Sequence, residues 1–244
     1  MFLEIKNFLP RSRILDELHT SAITMNAKVD FRLYLITDRK HTAPPLCDAV
    51  RFALKGGVRA IQVREKDLPV RELLALCSDL RALTREFGAK LFVNDQVDVA
   101  VAVEADGVHL GHESMPAAAV RKIVGSSMMI GVSTHSVDEA RRAEADGADF
   151  VTFGPVYETP SKMKYGAPVG LDALKEAIRA VNIPLFGLGG IKGNNIGHVL
   201  WAGARGVSMI SAIFGAHDIE KKTRNIMEMI KIVDRAICVE CGRR

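Results

Sequence analysis

Val103-Glu104-Ala105-Asp106-Gly107-Val108-His109-Leu110-Gly111 decides the fold. A helical end, an Asp-Gly turn and a short apolar strand follow one another with no linker between them. The same grammar recurs in Gly56-Gly57-Val58-Arg59-Ala60-Ile61, in Ala145-Asp146-Gly147-Ala148-Asp149-Phe150 and in Trp201-Ala202-Gly203-Ala204-Arg205-Gly206-Val207. In each, a Gly or Asp turn separates helical from strand periodicity. Working outward, strands are expected at 31–37, 59–64, 90–94, 106–110, 128–133, 149–153, 184–188 and 206–210. Between them, stretches such as 69–87 and 136–146 carry apolar residues at steps of three and four, the helical period. The strand centres lie about 25 residues apart, close to the shortest βα unit. Strands apolar throughout suit a parallel sheet buried on both faces. The expected class is therefore α/β: a single (β/α)8 TIM barrel over 31–216, an N-terminal extension over 1–30, and a C-terminal helix and tail over 217–244. A doubly wound open sheet is the alternative, since periodicity alone does not establish closure.

The length of 244 residues is near the ~250 of such barrels. Hydrophobic residues make up 48% and charged residues 25%, as in ordinary folded proteins. A net charge of +4, scattered along the chain, gives no argument for nucleic acid. No run approaches the ~18 apolar residues of a membrane span. Glu4, Lys6 and Arg11 interrupt the N-terminus, so it lacks a signal-peptide core. Cys47, Cys77, Cys238 and Cys241 are too spread for a disulfide framework, and a reduced, cytoplasmic setting is expected. Cys238 and Cys241 form one C-x-x-C with no second pair to close a zinc site. The extension holds an amphipathic stretch around 11–19, suited to packing under the barrel or at a contact in a homo-oligomer; Met25 is an alternative start.

Barrel chemistry sits where strands end and βα loops begin. After the second strand come Gln62, Arg64 and Lys66, residues two apart that face one way. Amide, guanidinium and ammonium groups together suit a phosphate or pyrophosphate. The competing reading is a surface loop with internal Arg64–Glu65 or Lys66–Asp67 pairs, yet Gln62 and Arg64 interrupt an apolar strand. After the third strand, Asn94-Asp95 either turns the chain or offers oxygen to Mg²⁺. His109, His112 and His135 match no zinc spacing. Ser133 offers a hydroxyl to a phosphate, while Ser136 with Glu139 reads as a capping box. The loop 154–170 carries Thr159, Ser161 and Lys162, a phosphate-binding set in a loop long enough to close over a ligand. Gly189-Gly190 after the seventh strand and Ile210-Ser211 after the eighth lie where barrels bind phosphate through backbone N–H groups.

In order and spacing, QVREKD at 62–67, VNDQVDVAVAVEADGVHLG at 93–111, IGVSTHS at 130–136, FGPVYETPSK at 153–162, GLGGI at 187–191 and VSMIS at 207–211 resemble the thiamine phosphate synthase family. That family joins 4-amino-5-hydroxymethyl-2-methylpyrimidine diphosphate to a phosphorylated thiazole, releasing pyrophosphate. The resemblance implies that Gln62, Arg64, Lys66 and Asn94 hold the pyrimidine diphosphate and that Asp95 ligates Mg²⁺. It gives Ser133 and Lys162 to the pyrophosphate, and Thr159, Ser161, Gly190, Ile210 and Ser211 to the thiazole phosphate. Arg64, Lys66, Lys162 and Ser133 are then the catalytic groups. The family's second Mg²⁺ carboxylate falls at Ser114, so Ser114 itself or Glu113 is left to replace it. Two other readings stay open: a thiazole tautomerase, with His135 where those enzymes have an acid–base histidine, and a non-catalytic thiamine-precursor binding protein.

Overall fold

The computed structural model describes residues 28–159 and 167–240. Ser161, Lys162 and Cys241 lie outside the described residues. Strands and helices alternate: β1 Leu33–Ile36, α1 Leu46–Lys55, β2 Ala60–Val63, α2 Val70–Glu86, β3 Lys90–Asn94, α3 Val97–Ala102, β4 Gly107–Leu110 and α4 Ala117–Val124. They continue with β5 Met129–Thr134, α5 Val137–Ala145, β6 Phe150–Phe153, α6 Gly170–Ala180, β7 Leu185–Leu188, α7 Ile196–Trp201, β8 Gly206–Met209, the short α8 Ser211–Phe214, and α9 Ile219–Glu240. Every neighbouring pair of strands is parallel, and β1 pairs with both β2 and β8. The sheet is closed, which removes the open-sheet alternative.

Alternation along each strand divides the core in two. Leu33, Leu35, Ile61, Val63, Leu91 and Val108 point outward and pack with the helices. Tyr34, Phe92, Phe150 and Phe186 point inward and fill the lumen, with Val29 and Phe31 closing it from below. Tyr34 meets Phe92 and Phe150 edge-to-face, at ring separations of 5.2 and 5.3 Å, a favoured aromatic geometry. Glycines opposite these rings make the room. A Cβ on Gly107 would lie 2.4 Å from the Phe92 ring, and one on Gly131 2.4 Å from the Phe150 ring.

The Asp of the recurring turn has a structural job at the lower rim. Asp106 Oδ2 accepts from Leu91 N at 2.8 Å and from Arg81 Nη1 at 2.6 Å. Asp149 Oδ2 accepts in the same way from Ile130 N at 2.8 Å and Arg121 Nη2 at 2.5 Å. Each ties two strands to the helix before them. Ser136 caps α5 by accepting from Glu139 N at 3.2 Å, and Glu139 reaches back to His135 N at 2.7 Å, one residue earlier than in the usual capping box. An Arg32–Asp234 ion pair fastens α9 to the foot of β1. No helix among the described residues is long and apolar enough to cross a membrane.

Candidate active site

Strand direction brings the C-terminal residues of all eight strands to one rim. The backbone turns sharply there at Asp95, whose φ of 62° is unusual for a residue with a Cβ. This turn directs the carboxylate back over the mouth. Asp95 Oδ2 accepts from Asn94 Nδ2 at 2.7 Å and lies 3.5 Å from Lys66 Nζ. Asp95 Oδ1 accepts from the Ser114 hydroxyl and, at 3.4 Å, from Gly111 N. Burial opposes ionisation of this carboxyl. The Ser114 bond, the Lys66 charge and the bonds from Gly111 and Asn94 outweigh it and hold the group below its ordinary range. Position 114 thus faces Asp95 and supplies a hydroxyl. Glu113 is exposed on the same turn. Among the described residues, no three His, Cys, Asp or Glu side chains cluster as metal ligands.

The local pairings weighed for the QVREKD segment do not form. Glu65 is buried and turns to the loop after β1, accepting from Thr37 Oγ1 at 2.6 Å and from Arg39 N and Nη1, each at 3.1 Å. Asp67 is taken by Arg39 at 2.6 Å and Lys40 at 2.7 Å. Both acids are drawn to the loop after β1, and the Arg64 guanidinium donates to no described residue. At His109, burial disfavours the imidazolium, the Asp95 charge opposes this, and the Arg64 charge adds a smaller push in the same direction as burial. Lys66 turns to Asp95 instead of Asp67.

His109 sits within β4 and points into the lumen. Its Nδ1 lies 3.3 Å from Tyr34 Oη and its Nε2 2.9 Å from Ser133 Oγ. Both ring nitrogens are occupied by hydroxyls, so it has none left for a metal with His112, which is exposed. His135 is exposed and its Nδ1 bonds to the Gly154 carbonyl. Gln62, buried on β2, donates to Tyr34 Oη at 3.2 Å.

On the opposite part of the rim, Gly189 and Gly190 adopt left-handed φ values of 94° and 64°. A Cβ at Gly190 would meet Glu158 O at 2.5 Å and Tyr157 at 2.7 Å. The pair is therefore required to seat the loop after β6, whose Val156 N and Tyr157 N donate to Leu188 O and Gly189 O at 2.8 and 3.1 Å. Thr159, half-buried, continues this loop to the edge of the described residues. Ile210 and Ser211 lead into the short helix α8.

Sequence reasoning missed Tyr34, Thr37, Glu65 and Thr152. Tyr34 reads as one more apolar strand residue, and only closure of the barrel shows that it points inward. Glu65 reads as a surface charge, because its partner Arg39 is remote in sequence.

Fold and rim together define the class: a (β/α)8-barrel enzyme whose mouth gathers groups suited to phosphorylated small molecules. The thiamine monophosphate synthase family profile matches residues 33–213. A Geobacter sulfurreducens relative is 54% identical over 205 residues, covering 84% of this chain and 96% of the relative. The thiamine-phosphate synthase of Moorella thermoacetica is 47% identical over 196 residues, covering 80% and 93%. The solved thiamine phosphate pyrophosphorylase of Pyrococcus furiosus superposes with a TM-score of 0.79 at 41% identity, covering 85% of this chain and 99% of that one. The chain belongs to the thiamine monophosphate synthase family.

Proposed function

We propose that this chain makes thiamine phosphate from 4-amino-5-hydroxymethyl-2-methylpyrimidine diphosphate and a phosphorylated thiazole, releasing pyrophosphate. Family membership supports the activity. The observation that carries the site is an Arg64 guanidinium with no hydrogen-bond partner among the described residues, next to the Lys66, Asp95 and Asn94 group, with Gln62 and Ser133 on strands that end at the same mouth. The C–O bond from the pyrimidine methylene to pyrophosphate breaks, and both electrons leave with pyrophosphate. The thiazole nitrogen then supplies the pair for the new C–N bond. No side-chain nucleophile is needed.

Charge separates in the first step, so fixed cations and donors aimed at the departing oxygens are the main protein contribution. Arg64, Lys66, Ser133 and Lys162 take that part. Gln62 and Asn94 hold the pyrimidine end. Thr159, Ser161, Gly190, Ile210 and Ser211 hold the thiazole phosphate and so fix the angle of attack. Asp95 and Ser114 offer only oxygen donors, the type Mg²⁺ takes alongside substrate phosphate and water. That ion, when bound, would neutralise charge on the pyrophosphate. A single carboxylate makes the protein's share of the metal shell small.

The test is pyrophosphate release from the two purified precursors, with and without Mg²⁺. Release that needs both precursors and the metal is expected. Isomerisation of a thiazole carboxylate phosphate without pyrophosphate release would move the chain to the tautomerases. Binding of the pyrimidine diphosphate with no turnover would make it a binding protein.

A further inference from the structure

Strand register sets Gln62 on β2, His109 on β4, Thr152 on β6 and Ser208 on β8 at one level of the barrel, all pointing inward and all about 1% exposed. Layers inside such barrels are mostly branched aliphatic side chains. A wholly polar layer costs stability unless its groups are partnered. Three of the four are joined through Tyr34 in the layer below and Ser133 in the layer above.

The bonds have a direction. Gln62 Nε2 donates to Tyr34 Oη at 3.2 Å, so the one phenolic proton is left for His109 Nδ1, 3.3 Å away. A neutral imidazole that accepts at Nδ1 carries its proton on Nε2. Nε2 therefore donates to Ser133 Oγ at 2.9 Å, which also receives from Thr152 Oγ1 at 3.4 Å. Ser133 has two donors aimed at its oxygen, and its own proton is free to point toward the mouth. At the other end, Gln62 has committed one of its two N–H bonds to Tyr34, which orients the amide and leaves its carbonyl oxygen for a ligand. Burial outweighs the opposing charge of Asp95 and, with a smaller push from Arg64, keeps His109 neutral down to about 3, so the imidazolium does not compete near neutral pH.

We propose that Tyr34 is a positioning residue: through the tautomer of His109 it makes Ser133 a proton donor toward the bound substrate, and by accepting from Gln62 it orients that amide, whose carbonyl oxygen serves as an acceptor. Tyr34 is fully buried and acts only through these groups. The donor suits an anionic phosphate oxygen, and the acceptor suits an N–H on a heterocycle. The inference rests on Gln62 and Ser133 being substrate-binding groups, as read above.

Tyr34→Phe tests it, because the ring and its edge-to-face contacts stay while the proton is lost. In the ¹⁵N spectrum of histidine-labelled wild-type protein, His109 should be bare at Nδ1 and protonated at Nε2. In the variant that signal should move toward the opposite tautomer or an average. kcat/KM for the pyrimidine diphosphate should drop by about tenfold, the order of one lost orienting hydrogen bond, with KM for the thiazole phosphate little changed. A wild-type His109 protonated on Nδ1 reverses the chain and overturns the proposal. So does a Tyr34→Phe enzyme with unaltered kcat/KM. If the variant does not fold, the wild-type spectrum still decides the direction. Absence of pyrophosphate release by the wild type would defeat the functional reading instead, leaving the tautomer result to stand separately.

Discussion

Among the described residues Arg64 has no carboxylate partner, because Arg39 and Lys40 hold Glu65 and Asp67, the acids that follow it in sequence. Removing such a charge from a departing pyrophosphate removes transition-state stabilisation and no packing. Arg64→Ala is expected to lower kcat by roughly 100-fold or more with an unchanged thermal transition, checked by pyrophosphate release and melting of the same sample. Ser114 poses the complementary case. It already bonds to Asp95, so Ser114→Asp adds a second carboxylate at the same spot. Magnesium titration should show tighter binding by roughly tenfold, of the order of one added charged ligand; an unaltered titration would show that no ion sits between the two positions. At this scale the sequence shows which residue types gather. It does not show their pairing, because Glu65 and Lys66 find partners in the loops that follow other strands.

At the scale of the element, each strand carries two codes at once. The outward code is aliphatic and readable as a run of Val, Ile and Leu. The inward code matches large against small across neighbouring strands, and it is where Gly107 sits beside Phe92. Gly107→Ala places a methyl inside the ring's contact distance, and overpacking of that kind costs roughly 1–3 kcal/mol. Urea unfolding should show that loss, and Phe92→Leu in the same chain should recover part of it. Two independent losses that simply add would mean the ring is not what the glycine accommodates. The recurring Asp-Gly turn was legible as a turn, but its Asp is also a clamp: at 106 and 149 it joins strand amide and helix arginine, a role set by tertiary contacts.

For the whole molecule, the polar layer under the mouth ties acid stability to function. An unfolded imidazole takes up a proton below about pH 6.5, whereas folded His109 resists it down to about 3. A folded value held below the unfolded one contributes stability that is fully present above the unfolded value and is lost as pH falls. That loss runs at roughly 1.4 kcal/mol per pH unit between the two values. The lowered Asp95 carboxyl adds a loss of the same sign in the more acidic carboxylate range. Urea midpoints should therefore fall between pH 7 and pH 5, and His109→Gln should flatten that slope. An equally steep slope in the variant would assign the loss to other groups.

The eight strands, their alternation with helices and the place of Arg64, Asn94, Asp95 and Ser133 at strand ends were already written in the order of residues. Periodicity records which faces are buried, and strand ends fall at one rim whenever the sheet is parallel. Closure was not legible, since it depends on β1 meeting β8 across the whole chain. Nor were the inward turn of Tyr34, the burial of Glu65 or the direction of the hydrogen bonds beneath the mouth. These follow from distances between residues that are neighbours only after folding, and local pattern carries no information about them.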